Sequence, residues 1–199
     1  MSHVKTDKLS ARTASGTITL GESGETLTVP SGVTLTNNGT NGGGFGKVLQ
    51  VVSTTKTDTT STTSTSWVDI SGLSVTITPS SASNKILLSA NVSAGISDGA
   101  SSSFRFIQDG SEVLVGDQVG SNRNRASFNA HSLNVYHSSS VGMHGLITPN
   151  TTSAITYKIQ WMAQSPYTSY VNRGGFYADA SNNYNNTMIS TITAMEIQG

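Results

Sequence analysis

Rings and amides crowd one stretch of this chain. Between Gln164 and Asn186 stand Tyr167, Tyr170, Asn172, Arg173, Tyr177, Asn182, Asn183 and Tyr184, with Ser and Thr among them. These are the residue types of adaptable recognition surfaces. A rigid amphipathic ring supplies contact area, and small polar side chains supply hydrogen bonds. The same set suits a sugar, whose C–H faces pack on rings and whose hydroxyls pair with amides. The competing use is packing: Tyr167 and Tyr170 would then cover the end of a sandwich or a neighbouring subunit. A second candidate rim is Gly116 to Ala126, where Arg123 and Arg125 alternate with Asn122 and Asn124.

Catalysis has little to work with. There are seven Asp and four Glu, and Asp98, Asp109 and Asp117 stand beside glycines, where Asp serves turns. A glycosidase needs two carboxylates several ångströms apart in a cleft. Asp58 with Asp69, or Asp117 with Asp179, would supply such a pair, but nothing in their spacing requires it. Serine is so frequent that any Ser–His–Asp triple can be written down, and none is informative. The reading is therefore not an enzyme, with capsule depolymerase kept as an alternative. His131, His137 and His144 are close in sequence. If Ser139 to Gly142 form a turn, His137 and His144 face each other across a hairpin. One His per chain on a three-fold axis would make a metal or anion site. Unliganded surface histidines are the preferred reading, and no metal or cofactor is assigned. Gly42 to Lys47 lacks the four-residue spacing and the Ser/Thr of a phosphate loop.

Composition narrows the class. The chain has 199 residues, no cysteine, and 11 basic against 11 acidic side chains, for a formal charge of zero. Charged residues make up 11%, under half the roughly 25% of an ordinary domain. Their place is taken by 32 Ser and 27 Thr. Scarce Lys and Glu argue against a helical protein. The missing basic excess argues against a nucleic-acid partner. No apolar run reaches the ~18 residues of a membrane span, so no membrane insertion is expected. The N-terminus also lacks the apolar core of a signal peptide. With no cysteine there are no disulfide staples and no thiolate zinc site.

The elements that must carry these residues are strands. Residues 1–46 hold three short units, Thr17 to Gly21, Thr26 to Pro30 and Val33 to Asn37, each alternating Thr with an aliphatic residue. Such strands are too short to bury a dry face alone, and stacking with neighbouring chains is the expected remedy; an ordinary β-meander packed on the larger domain is the alternative. The Asn/Gly-rich run Asn37 to Gly44 reads as a joint. Residues 47–199 read as about ten strands, with turn signals between them and no helical period. Trp67 to Ile70 and Leu73 to Thr78 flank a turn at Ser71-Gly72. Further strands are expected at Lys85 to Val92, Ser127 to Tyr136, Met143 to Thr148, Ile155 to Met162 and Gly175 to Ala180. The polar tract Thr54 to Ser66 reads as a solvated strand and loop. Asp109-Gly110, between Phe104 to Gln108 and Glu112 to Val115, is the sharpest hairpin signal, because a type I′ turn needs positive φ at both positions. Met188 to Ile197 is dry enough for the middle of a sheet or an interface. The expected fold is all-β: a stem of short strands over 1–46, then an antiparallel sandwich or jelly roll over 47–199.

Gly46 to Val52, Ser66 to Leu73 and Ile77 to Leu87 together resemble a virion protein family of tailed phages, abundant in marine and cyanobacterial phages and usually described as tail fibre or structural proteins. Val4 to Leu9, followed by Thr-rich repeats, is similar to the way such fibres begin. The resemblance implies a homotrimer with a thin N-terminal stem and a C-terminal jelly-roll head like the tumour-necrosis-factor and C1q trimers. On that reading residues 1–15 dock on another virion protein, and the head stands outside the particle. Tyr167, Tyr170, Asn172, Arg173, Tyr177, Asn183 and Tyr184, with Arg123 and Arg125, would then meet a host receptor or surface glycan. A head or collar decoration protein with no receptor is the structural alternative.

Overall fold

A computed structural model describes Thr26, Ser31, Gly32, residues 46–176 and residues 186–199. The chain divides into two compact units, residues 1–44 and 45–199. The three short N-terminal units lie, apart from Thr26, outside the described residues.

The larger unit is all-β. Its strands are β1 (Val48–Lys56), β2 (Thr60–Thr62), β3 (Val68–Ile77), β4 (Lys85–Ile96), β5 (Ser101–Gln108), β6 (Ser111–Val113), β7 (Phe128–His131), β8 (Ser138–Ile147), β9 (Ile155–Ala163), β10 (Ser169–Val171) and β11 (Ser190–Ile197). They form two antiparallel sheets curled as a half-barrel. In the first, β4 pairs with β8 along one edge; along the other it pairs with β11 over Lys85 to Asn91 and with β10 over Ala94 to Ile96. β1 borders β11 and β2 borders β10. The sheet is thus four strands wide, β1/β2, β11/β10, β4, β8. The second sheet runs β3, β9, β5, and then β6 and β7 end to end along one edge of β5.

One core lies between the sheets. Alternation puts Leu73, Val75 and Ile77 of β3, Ile86, Leu88 and Val92 of β4, Tyr157, Ile159 and Trp161 of β9, and Ile192 and Ala194 of β11 on the inner faces. Phe104 stacks on Phe128 with ring centroids 5.1 Å apart, and on Trp161 at 6.4 Å. Burial pushes the Tyr157 hydroxyl up to about 12, aided by the Asp109 charge, and that hydroxyl has no hydrogen-bond partner among the described residues.

The Asp109-Gly110 hairpin forms as expected, joining β5 to β6 with φ of 46° and 93°. β11 lies mid-sheet, between β1 and β4. Other expectations are corrected. Ser71-Gly72 is no turn. β3 runs straight through it, and the register against β9 shifts between Asp69 and Ser74, a bulge that uses the positive φ of Gly72, 79°. The expected strand Ser127 to Tyr136 is reduced to Phe128–His131. Ser139 to Gly142 is no turn either. β8 begins at Ser138, because β4 offers it ten partners from Ile86 to Gly95. Gly175 and Phe176 lie outside any strand, and the rest of that expected strand is beyond the described residues.

Candidate functional site

The Tyr-rich segment leaves the scaffold at β10. Ser169 and Val171 point inward and are buried, so Tyr170 between them faces out. Arg173 curls back to stack its guanidinium 3.8 Å from the centre of the Tyr170 ring. Tyr167 is half-buried in a turn closed by its own N–H donating to the Gln164 carbonyl at 2.8 Å. Beyond Arg173 the chain crosses β4 at close range. A Cβ at Gly95 would stand 2.3 Å from the Arg173 carbonyl oxygen, and one at Gly175 would stand 1.9 Å from that of Ile96. Glycines are required where backbones approach so closely. This crossing buries the end of β4, whose Val92 to Ile96 are covered on both faces. Phe176 then meets Tyr136, ring centroids 5.1 Å apart, on the loop before β8.

Asn172 is corrected. It is fully buried and cannot touch a receptor. Its side-chain amide donates to the carbonyls of Lys56 at 2.8 Å and Asp58 at 2.9 Å, and its Oδ1 accepts from the Ser190 hydroxyl at 2.6 Å. Its backbone N–H donates to Ser93, and its carbonyl accepts from Met188. A φ of 64° suits Asn, which tolerates the left-handed region. Asn172 therefore binds four strands together where the segment departs. Tyr177, Asn183 and Tyr184 lie outside the described residues.

The second rim is half structural. Arg125 donates from Nε to the Gly116 carbonyl at 2.8 Å and forms an ion pair with Glu112, so its guanidinium holds the loop closed. Arg123 is exposed. The two rims leave different strands, one following β10 and the other lying between β6 and β7.

Composition gave no sign of the lattice on the outer face of the second sheet. Lys158 pairs with Asp69 at 2.5 Å, and Asp69 accepts from Gln160 at 2.8 Å. Arg105 donates twice to the Gln160 oxygen, at 3.0 and 2.7 Å, and pairs with Glu112 at 2.9 Å. Trp67 lies over Arg105 at 4.4 Å. Partial burial works against ionising Asp69, but the hydrogen bonds from Lys158 and Gln160 outweigh it and hold its carboxyl below the usual range. Period-2 alternation puts Asp69, Lys158, Gln160 and Arg105 on one face; pairing register, which a single sequence does not show, makes them neighbours.

Asp58 is tied to Lys56 at 2.7 Å, Asp69 belongs to the lattice, and Asp179 is not described. His131 shares a hydrogen bond with Ser101 at 3.1 Å, while His137 precedes β8 and His144 lies on it, so no hairpin brings the two together. Among the described residues no group of three His, Asp or Glu could hold a metal. Glu196 is buried, and burial opposes its charge. Hydrogen bonds from Asn84, Gln50 and Ser80 overcome that cost and bring its carboxyl down to about 2. It ties β11 to β1 and to the β3–β4 loop.

No protein-family model matches this chain, and no curated protein is detectably similar to it.

Proposed function

We propose that this chain is the fibre or knob protein of a tailed-phage virion, a homotrimer whose N-terminal unit docks on another virion protein and whose β-domain adheres to a host surface glycan or similar receptor. The strand order β1-β11-β4-β8 facing β3-β9-β5-β7 supports a jelly roll, in which two Greek keys wind on each other. The division at residue 44 supports a docking part and a projecting part.

The observation that carries the adhesive role is the ring cluster beyond β10. Tyr170 faces outward under the Arg173 guanidinium, and the exposed Tyr136 and Phe176 pair beside the same crossing. Aromatic and Arg anchors dominate recognition surfaces. Three heads on one trimer would raise weak single-site affinity by avidity.

The test is binding of the full-length protein to a panel of bacterial surface polysaccharides, with a reducing-sugar assay in the same tubes. Tyr170→Ala with Arg173→Ala should abolish binding at a cost of about 1 kcal/mol, the scale of a cation–π pair. That lowers the melting temperature by about 2–4 °C in a domain of this size. A double variant that folds and still binds moves the rim to Arg123. Released sugar would favour the depolymerase. A wild-type protein that binds no surface leaves the decoration role.

A further inference from the structure

The first sheet has a gap in its pairing. β11 pairs with β4 only as far as Asn91, and β10 only from Ala94. Along that edge Val92 and Ser93 have no strand partner, and there the chain leading into β11 lifts off the sheet. Ser93 holds it from below: its N–H donates to Ser190 Oγ at 3.0 Å, and its hydroxyl donates to the Ile189 carbonyl at 2.9 Å. The Met188 N–H donates to the Asn172 carbonyl instead of joining β4. Ile189 is left 55% exposed, and with Met188 it forms one wall of an open pocket of about 530 Å³. Asn91 and Ser93 of β4 line the pocket from below, and Ser140 of β8 lines it from the other side. The Ser140 hydroxyl donates to Asn91 Oδ1 at 2.6 Å, and the Ser138 hydroxyl reaches Met188 Sδ at 3.3 Å, bridging the two walls.

We infer that this pocket holds an uncharged sugar residue of the receptor glycan; the inference rests on the adhesive reading above and names the class of sugar. The lining has no Asp, Glu, Lys, Arg or His, so an ion entering it would lose water and gain no counter-charge. A wholly apolar molecule would cover the hydroxyls of Ser140, Thr187 and Thr191 without bonding them. A peptide strand would need an open backbone edge, but the Ser93 N–H and the Ile189 carbonyl are already bonded. A sugar ring suits both kinds of lining. Its C–H face packs on Met188 and Ile189, and its hydroxyls, each both donor and acceptor, match an amide and hydroxyls. Asn91 is the pivotal donor. Ser140 engages its Oδ1, and no described residue accepts from its Nδ2. The volume falls within the ~300–1,000 Å³ of small-ligand sites. Position fits as well. Tyr170 stands on the same outer face opposite Gly95, four residues along β4 from Asn91 and so about 13 Å away. One glycan can therefore touch both the ring cluster and the pocket.

The test uses the full-length protein with ¹³C-labelled methionine methyls, and oligosaccharide fragments of neutral and of uronic-acid bacterial polysaccharides. Met188 reports on the pocket, and Met162, on the outer face of the second sheet, reports on the opposite side. Neutral fragments should shift the Met188 methyl resonance, identified with Met188→Leu, and leave that of Met162 in place. Asn91→Ala removes the donor and Ser140→Phe fills the pocket. Each should weaken binding at least tenfold with the circular dichroism spectrum unchanged. The Met188 shift is read on the wild-type pocket, so a variant that misfolds does not remove the test. Neutral fragments that bind without moving Met188, or that bind both folded variants as tightly as wild type, overturn this inference and leave the adhesive reading standing at the ring cluster. Binding of uronic-acid fragments alone does the same. A protein that binds no fragment overturns the adhesive reading and this inference together.

Discussion

The two outer faces of the β-domain solve different problems with the same backbone. On the second sheet, charged side chains are gathered into one lattice: Lys158, Asp69, Gln160, Arg105, Glu112 and Arg125, with Trp67 lying over Arg105. On the first, Val51, Met195, Leu87 and Leu146 make an apolar row whose two ends are exposed and whose middle is half-buried. A chain with so few charges could have scattered them as a solvent coat. It has put a set of them where they pair with one another. The second sheet satisfies its ions among its own side chains, and the first sets apolar side chains in line across its strands.

The largest effect is expected at Asn172, which anchors the crossing at the far end of the first sheet. Asn172→Ala strands the carbonyls of Lys56 and Asp58 and the Ser190 hydroxyl in a buried site, at about 2–4 kcal/mol. Thermal melting should fall by 10 °C or so, at about 2–4 °C per kcal/mol. A loss no larger than that of an exposed Asn would mean that the network carries no load. Next comes the hairpin that sets the edge of the second sheet. Gly110→Val places a β-branched residue at φ 93° and should cost about 1–3 kcal/mol, read as a shifted denaturation midpoint.

Glu196 gives the contrast a pH axis. Its folded carboxyl titrates at about 2, against an ordinary value of 4.5. The stability it contributes is therefore complete above about pH 4.5 and is lost as pH falls toward 2. Glu196→Gln should melt lower than wild type at pH 7, by the ~1.5–3 kcal/mol of hydrogen bonds to a charged group, and the two curves should converge below pH 3. Parallel curves down to pH 2 would contradict the assignment. The smallest effect belongs to the lattice. Asp69→Asn should cost under about 1 kcal/mol, as pairs in contact with water do, and should leave the oligomer unchanged.

Much of the framework was legible in the sequence, because it rests on period-2 alternation and on turn chemistry with one solution. Asp109-Gly110 between alternating runs admits little but a hairpin, and the dry run to Ile197 fits only a covered strand. What failed was ambiguous in physical terms. Positive φ at Gly72 serves a bulge as well as a turn, so Ser71-Gly72 suggests a turn where β3 has a bulge. Ser139 to Gly142 looks like a turn because small and polar residues dominate it, and only the length of β4 makes it a strand. In the candidate site, Tyr170 and Arg173 stand out by type and do come together. Asn172 carries the same signal but is spent on backbone carbonyls, since an amide that can meet a receptor can equally satisfy a buried chain crossing. The lattice was invisible, because register decides which alternate residues touch.

The assembly claim meets its most direct test in the native mass of the purified full-length protein at micromolar concentration. The proposed homotrimer gives about three times the 20.7 kDa of one chain. A stable monomer under those conditions would contradict it.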